Sequence, residues 1–379
     1  MDTATRNAFL ADFSAAEHAV RCGVTSSRAS ATDSHWKIWS DFCAELALDP
    51  LLQDVPDPVI FLQTFLQRYR SGHIAPKRNP VRARTAEDAL RSVGQTFTAM
   101  GAQDPRLTST GDMDFRIARQ LKFYRKQDPP PARVKPIPVP VLHWISHAAS
   151  LSPHCSSHAI ADMAVLAFFF LLRPGEYTSS TTDSSPFRLA DLRLAIGSQY
   201  LDLATAPNAS LDAATFLSLT FTTQKNGVRG EVIGLGRSGS SSLCPVLAAV
   251  RRVKHLRTHG AQPHTPISSY FDRMWRRVSP SDITAVLQTA VLAIGTTTLG
   301  FLPTDVTARS LRAAGAMALL CGHVDTDTIR LLGRWRSDEM LRYLHLQAEP
   351  VMRNFSRTML TGGAYSLQPN AGIPQVPPP

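Results

Sequence analysis

A proline-rich segment divides this chain of 379 residues into two unequal parts. Within residues 128–140, prolines stand at positions 129, 130, 131, 136, 138 and 140. Proline lacks a backbone N–H and clashes with the preceding helical turn, so a helix does not run through such a segment. The segment therefore predicts an extended linker, and the chain is long enough for a domain on either side of it. The predicted domains span residues 31–127 and 141–356.

The first domain is predicted to be a bundle of about four helices. Apolar residues recur there every three or four positions, as in Trp36, Trp39 and Phe42, a pattern typical of helices with one buried face. Thr85 and Asp88 resemble a capping box, which predicts a helix start at Thr85. The small, polar residues 1–30 predict an arm or a disordered segment, and the Gly-, Ser-, Gln- and Pro-rich residues 357–379 predict a disordered tail.

Positive charge is concentrated in one part of the chain. The net charge is +10, and residues 68–135 hold fifteen Lys and Arg against six Asp and Glu, a net +9. Such a patch indicates a polyanionic partner, and duplex DNA is the predicted one. The residues predicted to bind DNA are Lys77, Arg78, Arg82, Arg84, Arg119, Lys122, Arg133 and Lys135.

The second domain is predicted to combine helices with a small β-sheet. β-Branched and apolar residues flank Lys225-Asn226-Gly227, and Asn-Gly is a strong signal for a hairpin turn. Helices are predicted on both sides of this hairpin, including one after Pro245 and one whose cap is Ser279. The apolar run Met163–Leu172 is shorter than the roughly 20 residues that span a bilayer, so it predicts a buried helix. The predicted fold class is mainly α with a small β-sheet.

The sequence gives no pattern for a metal or another cofactor. The five cysteines are scattered and odd in number, which is typical of reduced thiols in an intracellular protein. Alternatively, His154, Cys155 and His158 could form a metal cluster, but they lack the second half of a zinc pattern. The N-terminus has no apolar signal core, so secretion is not expected.

A second group of residues has the chemistry to cut a phosphodiester without metal. Arg173 follows the apolar run, Arg309 and Arg312 lie three residues apart and are predicted to share a helix face, and Arg334-Trp335 follows Gly333. Guanidinium groups bind phosphate oxygens bidentately and stabilise the charge that builds up during attack. Tyr343, further along, has a phenol that can attack phosphorus and store the bond as a phosphotyrosine.

The order Arg173, Lys225, Arg309-x-x-Arg312, Gly333-Arg334-Trp335 and Tyr343 resembles the motif of the tyrosine recombinases of the phage-integrase superfamily. The segment LLGRWRSDEMLRYL is most similar to recombinases of eukaryotic Crypton and DIRS mobile elements. The resemblance implies a SAM-like helical core-binding domain followed by an α+β catalytic domain. It also implies a site-specific recombinase or integrase that acts on duplex DNA, forms a homotetramer on two duplexes, and is a monomer or dimer when free. A nuclear location follows if the source is eukaryotic.

The resemblance also implies a role for each residue. Arg173 and Arg312 would clamp the scissile phosphate, and Glu176 would brace the arginine. Lys225 would protonate the leaving 5′ oxygen, and Tyr343 would form the 3′-phosphotyrosine. No cofactor is implied, because the phosphotyrosine conserves the energy of the broken bond.

Two positions depart from the family pattern and leave alternatives open. Arg309 stands where the family has a histidine, and arginine cannot accept the tyrosine proton because it stays protonated. Arg334 stands where the family has His or Trp, so either Arg334 or Trp335 would donate to the phosphate. One alternative is a catalytically weak or inactive relative that only binds DNA. A second is a type IB topoisomerase-like enzyme that relaxes DNA with the same residues.

Overall fold

The computed structural model describes residues 2–130, 134–179, 185–222 and 230–335, together with residue 341. The chain divides into two compact units between Pro131 and Ala132. Each unit has its own hydrophobic core. The division falls inside the proline-rich segment 128–140.

Unit 1 is helical throughout its regular structure. In the described residues its helices are α1 (Thr3–Cys22), α2 (Ser26–Glu45), α3 (Val59–Arg70), α4 (Ala83–Ala99) and α5 (Phe115–Gln127). This confirms the helical character predicted from the spacing of apolar residues.

Aromatic side chains from three helices form the centre of the unit 1 core. Trp39 and Phe42 of α2 pack against Phe65 of α3, with ring centroids 5.2 Å and 5.6 Å from that of Phe65. The ring centroid of Phe97 of α4 lies 6.3 Å from that of Trp39. The Trp39 indole N–H donates to the carbonyl oxygen of Pro50 at 2.8 Å, so its polar atom is satisfied although the ring is buried.

Two boundaries in unit 1 differ from the predictions. Most of the N-terminal segment 1–30 lies in α1 and the start of α2. Helix α4 begins at Ala83, two residues before the predicted start at Thr85. The cause is a long-range cap: the carboxylate of Asp128 accepts from the backbone N–H of Ala83 at 2.8 Å and pairs with Arg70 at 2.7 Å. A local motif search does not detect such a cap.

Unit 2 combines helices with two small antiparallel sheets. Its described helices are α6 (Val139–Ser150), α7 (Cys155–Phe169), α8 (Pro174–Tyr177), α9 (Asn208–Asp212), α10 (Pro245–Thr258), α11 (Pro280–Ile294), α12 (Thr296–Leu299), α13 (Ser310–Cys321) and α14 (Thr326–Leu332). Its strands are β1 (Leu192–Ile196), β2 (Gln199–Tyr200), β3 (Phe216–Phe221), β4 (Glu231–Gly236), β5 (Ser269–Asp272) and β6 (Met274–Arg277).

The larger sheet has the strand order β2-β1-β3-β4, and all of its pairings are antiparallel. Strands β3 and β4 pair from Phe216 opposite Gly236 to Phe221 opposite Glu231. They are the two arms of the predicted hairpin, whose turn with Lys225 lies outside the described residues. Strands β5 and β6 form a second sheet of two strands, which was not predicted. The fold class, mainly α with a small β-sheet, is confirmed.

The buried helix α7 holds the predicted apolar run up to Phe169, where the helix ends, and is packed closely by α13. A Cβ atom at Gly315 of α13 would lie 2.2 Å from the carbonyl oxygen of Phe168, so only glycine permits this approach. The predicted cap of α11 is also confirmed, since Ser279 accepts from the N–H of Asp282 at 3.1 Å. Among the described helices, none has the length and apolarity to cross a membrane.

Candidate active site

The turn after α7 provides the first part of the site. Leu171 has a left-handed backbone (φ 51°), which turns the chain sharply before Arg173. Arg173 then caps the short helix α8: its N–H donates to Glu176 Oε2 at 2.8 Å and its Nη1 donates to Oε1 at 3.0 Å. Glu176 is buried, whereas the Arg173 side chain is 26 % exposed. Arg173 and Glu176 therefore form a direct ion pair, the contact that the predicted bracing requires.

Arg312 of α13 reaches the same turn from the opposite side. It is only 3 % exposed, and its terminal nitrogens donate to the carbonyl oxygens of Leu171 and Gly333. Its guanidinium lies 4.2 Å from the ring centroid of Trp335, within the range of a cation–π interaction. These contacts join α7, α13 and the end of α14 around one buried positive charge.

The segment Gly333-Arg334-Trp335 closes the site after α14. Arg334 has φ 57°, and a Cβ at Gly333 would lie 1.6 Å from the Trp335 ring. The turn therefore needs glycine at 333 so that the indole can fold back towards Arg312. Gly333 follows the last residue of α14, and the helix starts at Thr326 under an Asp325 cap.

Arg334 points into unit 2 and is 6 % exposed. Its Nη2 donates to Glu176 Oε2 at 3.1 Å and to the Leu171 carbonyl at 3.2 Å, and its Nη1 donates to the Phe170 carbonyl at 3.2 Å. The guanidinium carbon lies 3.9 Å from the ring centroid of Phe221 on β3. Arg334 therefore connects the turn after α7, α8 and the larger sheet.

Positive charge exceeds negative charge in this cluster. The guanidinium groups of Arg173 and Arg334 both pair with the carboxylate of Glu176, and that of Arg312 joins Arg334 at the Leu171 carbonyl. The pKa of Arg334 is lowered to about 10, because burial and the charge of Arg173 outweigh the opposing charges of Glu176 and Glu231. Arg334 still carries its charge at neutral pH, so the cluster has the electrostatics of an anion site.

Arg309 and Arg312, which were predicted to share a helix face, differ in their exposure. Arg309 is exposed at the N-cap of α13, whereas Arg312 is buried. The neighbouring carbonyl of Ala308 accepts from the Tyr177 hydroxyl at 2.8 Å. Complete burial raises the pKa of Tyr177, so this phenol stays neutral and serves to hold α13 against α8.

Arg173, Glu176, Arg312, Arg334 and Trp335 are thus brought together from separate parts of the sequence. Lys225, Tyr343 and Arg133 lie outside the described residues, so their positions remain predictions. The carbonyl oxygens of Phe170 and Leu171 and the ring of Phe221 complete the cluster, and sequence reasoning missed them. A backbone carbonyl carries no sequence signal, and Phe221 resembles any buried strand residue.

The predicted DNA-binding residues of unit 1 are exposed. Within the described part of unit 1, Lys77, Arg78, Arg82, Arg84, Arg119 and Lys122 form no ion pair. By contrast, Arg68 pairs with Glu45 and Arg125 pairs with Glu87. Lys135, in unit 2, is half-buried, and its backbone N–H donates to the carbonyl of Asp305.

The residues proposed as an alternative metal cluster do not form one. Among the described residues, no group of three or more His, Cys, Asp or Glu side chains is arranged to hold a metal ion. The His158 Nε2 atom instead lies 3.0 Å from the carbonyl oxygen of Ser152.

No protein-family model and no curated protein matches the chain. Solved structures similar to it include the Tn1549 transposon integrase in complex with transposon right end DNA (13% identity, TM-score 0.46, 80% of this chain and 84% of that chain). XerA recombinase is similar over 89% of this chain and 100% of its own (14% identity, TM-score 0.36). A lambda integrase dimer bound to a COC′ core site is similar over 86% of this chain and 91% of its own (14% identity, TM-score 0.48). At these identities and TM-scores, the likeness assigns no activity, which must be argued from the residues of the site.

Proposed function

We propose that the chain is a tyrosine recombinase that cleaves and rejoins duplex DNA through a 3′-phosphotyrosine intermediate. The observation that carries the proposal is the convergence of Arg173, Arg312 and Arg334 on Glu176 and the Leu171 carbonyl. Two of these arginines share the Glu176 carboxylate and two share the Leu171 carbonyl, although the three come from separate parts of the sequence. A buried excess of positive charge is stabilised further when an anion such as a phosphodiester binds next to it.

Arg173 is the group best placed to bind the scissile phosphate directly. It is the most exposed of the three arginines, and Glu176 fixes its orientation through two hydrogen bonds. Arg312 is the predicted second clamp, and its charge lies behind the same turn. Trp335 packs against Arg312, so we assign it a role in holding that guanidinium. Preorganised charge of this kind stabilises the transition state more than water does.

The nucleophile and the general acid are assigned from the motif. Tyr343 attacks phosphorus and the 5′ oxygen leaves with a proton from Lys225, so the broken P–O bond is replaced by a phosphotyrosine. Attack by a 5′ hydroxyl on that phosphotyrosine releases Tyr343 and rejoins the DNA. Arg309, exposed at the start of α13, adds positive charge where the family has histidine. Since it cannot accept a proton, the tyrosine proton goes to water.

Duplex DNA is the proposed partner. The exposed cations of unit 1 that form no ion pair supply a sequence-independent attraction to phosphates. By resemblance, four protomers act on two duplexes, and the source is a mobile element of a eukaryotic nucleus. The assembly and the location rest on that resemblance alone.

One observation favours a second candidate, a relative that binds DNA without cutting it. The terminal nitrogens of Arg312 donate to the carbonyls of Leu171 and Gly333, and Arg334 is directed inward. For an Arg312 Nη atom to contact a phosphate directly, Arg312 would have to exchange a hydrogen bond to one of these carbonyls for a hydrogen bond to the phosphate. A protein in which that exchange does not occur would bind DNA and leave it intact.

A covalent-adduct assay separates the two candidates. The full chain is incubated with a library of duplexes of random sequence that carry a nick, because loss of the short strand after cleavage traps the phosphotyrosine. SDS-resistant DNA–protein adducts are then isolated and their DNA is sequenced. We expect adducts from the wild type and none from Tyr343→Phe. Salt-dependent DNA binding with no adduct from the wild type would contradict the proposal and support the second candidate.

A further inference from the structure

A second basic region lies in unit 2, on the hairpin of β5 and β6. This hairpin borders a cleft of about 630 Å³, together with residues 185–188 and the loop 260–266. Basic, aromatic and hydroxyl side chains line the cleft, among them Arg188, His264, Ser269, Trp275, Arg276 and Arg277. Its volume lies within the range of pockets that hold a small organic molecule or a nucleotide.

Some basic residues around this cleft form ion pairs within the protein and others do not. Residues 237–277 hold eight Lys and Arg against one acid, Asp272. On α10, Arg251 pairs with Asp162 and Lys254 pairs with Asp212. Within the described part of unit 2, the arginines of the hairpin and its neighbour form no ion pair; these are Arg188, Arg273, Arg276 and Arg277. The charge of the cleft is therefore available to an anionic ligand.

The cleft also presents an exposed aromatic ring. Trp275 is 42 % exposed, although it is the largest side chain of the hairpin. One side of it rests on Phe271, directly across the strand pair, with ring centroids 5.6 Å apart. His259 of the α10 end stacks on Phe271 at 4.7 Å and meets the Trp275 ring edge-on at 6.4 Å. The indole is thus fixed from one side and open on the other.

An open indole between arginines fits unpaired nucleotides better than an intact duplex. In a duplex each base face is already stacked on its neighbours, so an aromatic side chain gains no base contact from the backbone side. In single-stranded nucleic acid the faces are free, and stacking adds to the attraction between cations and phosphates. Phosphate contacts alone would not need the indole.

We infer that this cleft binds an unpaired segment of a DNA strand, with Trp275 stacked on a base and Arg188, Arg276 and Arg277 on the adjacent phosphates. The source of such a segment rests on the proposed function, because strand exchange releases the end of a cleaved strand from its duplex. The binding itself does not depend on cleavage. It is therefore tested with Tyr343→Phe as well as with the wild type.

Photo-crosslinking locates the contact. A 12-nucleotide thymidine-rich strand with one 5-iododeoxyuridine is irradiated with the full-length Tyr343→Phe protein, and the crosslinked peptide is identified by mass spectrometry. We expect the crosslink at Trp275 with the single strand and its loss when the strand is fully paired. Crosslinks confined to unit 1, or equal crosslinking of Trp275 by the duplex, would overturn the inference.

Affinity measurements test the chemistry of the cleft. Trp275→Ala should weaken single-strand binding by roughly tenfold and duplex binding by less than about twofold. Trp275→Phe keeps a stacking ring and should restore most of the loss, which a mere folding defect would not allow. Lys254→Ala, whose charge is already paired with Asp212, is the matched control and should change neither affinity by more than about twofold.

Two further results would overturn the inference. One is an equal loss of affinity for single and double strands in Trp275→Ala, because that would indicate a general electrostatic or folding effect. The other is binding of the mononucleotide dTMP as tightly as the 12-nucleotide strand, which would indicate a free-nucleotide site. Failure of the adduct assay affects neither measurement, so the two proposals are tested separately.

Discussion

At the scale of single residues, two acceptors organise the candidate site. The Leu171 carbonyl accepts from both Arg312 and Arg334, and the Glu176 carboxylate accepts from both Arg173 and Arg334. Leu171 and Arg334 adopt left-handed backbones in this arrangement, each costing on the order of 1–3 kcal/mol. The charged hydrogen bonds that result offset this strain, since each contributes about 1.5–3 kcal/mol. Arg334 thereby couples the two arginines that are predicted to hold phosphate.

Neutralising Glu176 should disrupt this coupling. Glu176→Gln removes the carboxylate from a buried site that faces two guanidinium groups, which leaves their charge uncompensated. We expect the free energy of unfolding of unit 2 to fall by about 3–5 kcal/mol, measured by urea denaturation. The control Glu45→Gln removes the exposed partner of Arg68 and should cost less than about 1 kcal/mol. Equal losses in the two variants would show that Glu176 is not a central acceptor.

Gly333 is predicted to be irreplaceable for a steric reason. In Gly333→Ala the new methyl group would overlap the Trp335 ring, so the indole must move away from Arg312. We expect a loss of about 1–3 kcal/mol in the free energy of unfolding, together with reduced adduct formation. Gly236→Ala is the matched control, because the nearest atom to its Cβ is 3.9 Å away. A Gly333→Ala protein as stable as that control would contradict the described turn.

At the scale of elements, periodicity predicted the helices well and local signals predicted the turns less well. Trp39 and Phe42 of α2 and most of the apolar run 163–172 are buried as expected, because burial of one face imposes the helical period on the sequence. The hairpin of β5 and β6 was missed because its turn uses Arg273 at φ 60°, where an Asn-Gly signal is absent. The inward direction of Arg334 could not be predicted, since it depends on acceptors more than 150 residues away.

The attachment of β5 to α10 is predicted to depend on pH. The backbone N–H of Phe271 donates to Nε2 of His255 at 3.0 Å, so the imidazole must be neutral. Burial, together with the charges of Arg252, His259 and His158, lowers the pKa of His255 to about 4. As the pH falls below about 6.5, the imidazole of His255 is protonated in the unfolded chain before it is protonated in the folded one. The contribution of neutral His255 to the free energy of unfolding is therefore complete above a pH of about 6.5, and it is lost as the pH falls from there to about 4.

Urea denaturation at about pH 7.5 and about pH 5 measures this effect. We expect His255 to account for about 1 kcal/mol of the loss at the lower pH, since partial exposure screens its environment. In His255→Gln the amide oxygen can accept from Phe271 without titrating, so this part of the pH dependence should disappear. An unchanged pH dependence in His255→Gln would contradict the prediction.

At the scale of the whole molecule, both units carry charge that is not used within the described fold. In unit 1 it lies on exposed residues such as Arg119 and Lys122, and in unit 2 it lies on the hairpin of β5 and β6. The sequence revealed the first region because its net charge is high. The region on the hairpin of β5 and β6 could not be found from the sequence, because only the structure distinguishes arginines that form ion pairs from arginines that do not.

Salt dependence should reveal the charges that bind DNA. Replacing Arg119 and Lys122 with alanine should reduce the slope of log K against log salt concentration by about 2, because two phosphates are no longer bound. Arg68 and Arg125 are already paired with Glu45 and Glu87, so replacing these two should change the slope by less than about 1. Fluorescence anisotropy with a labelled duplex measures both, and equal changes would contradict the assignment.

The most direct test of the central claim is to identify the residue that becomes linked to DNA. Adducts formed by the full chain on nicked duplexes are digested with nuclease and protease, and the modified peptide is sequenced by mass spectrometry. The proposed site predicts a nucleotide attached through phosphate to Tyr343, with the yield reduced at least tenfold in Arg173→Ala. A nucleotide attached to another residue, or an adduct yield that does not depend on Arg173, would contradict it.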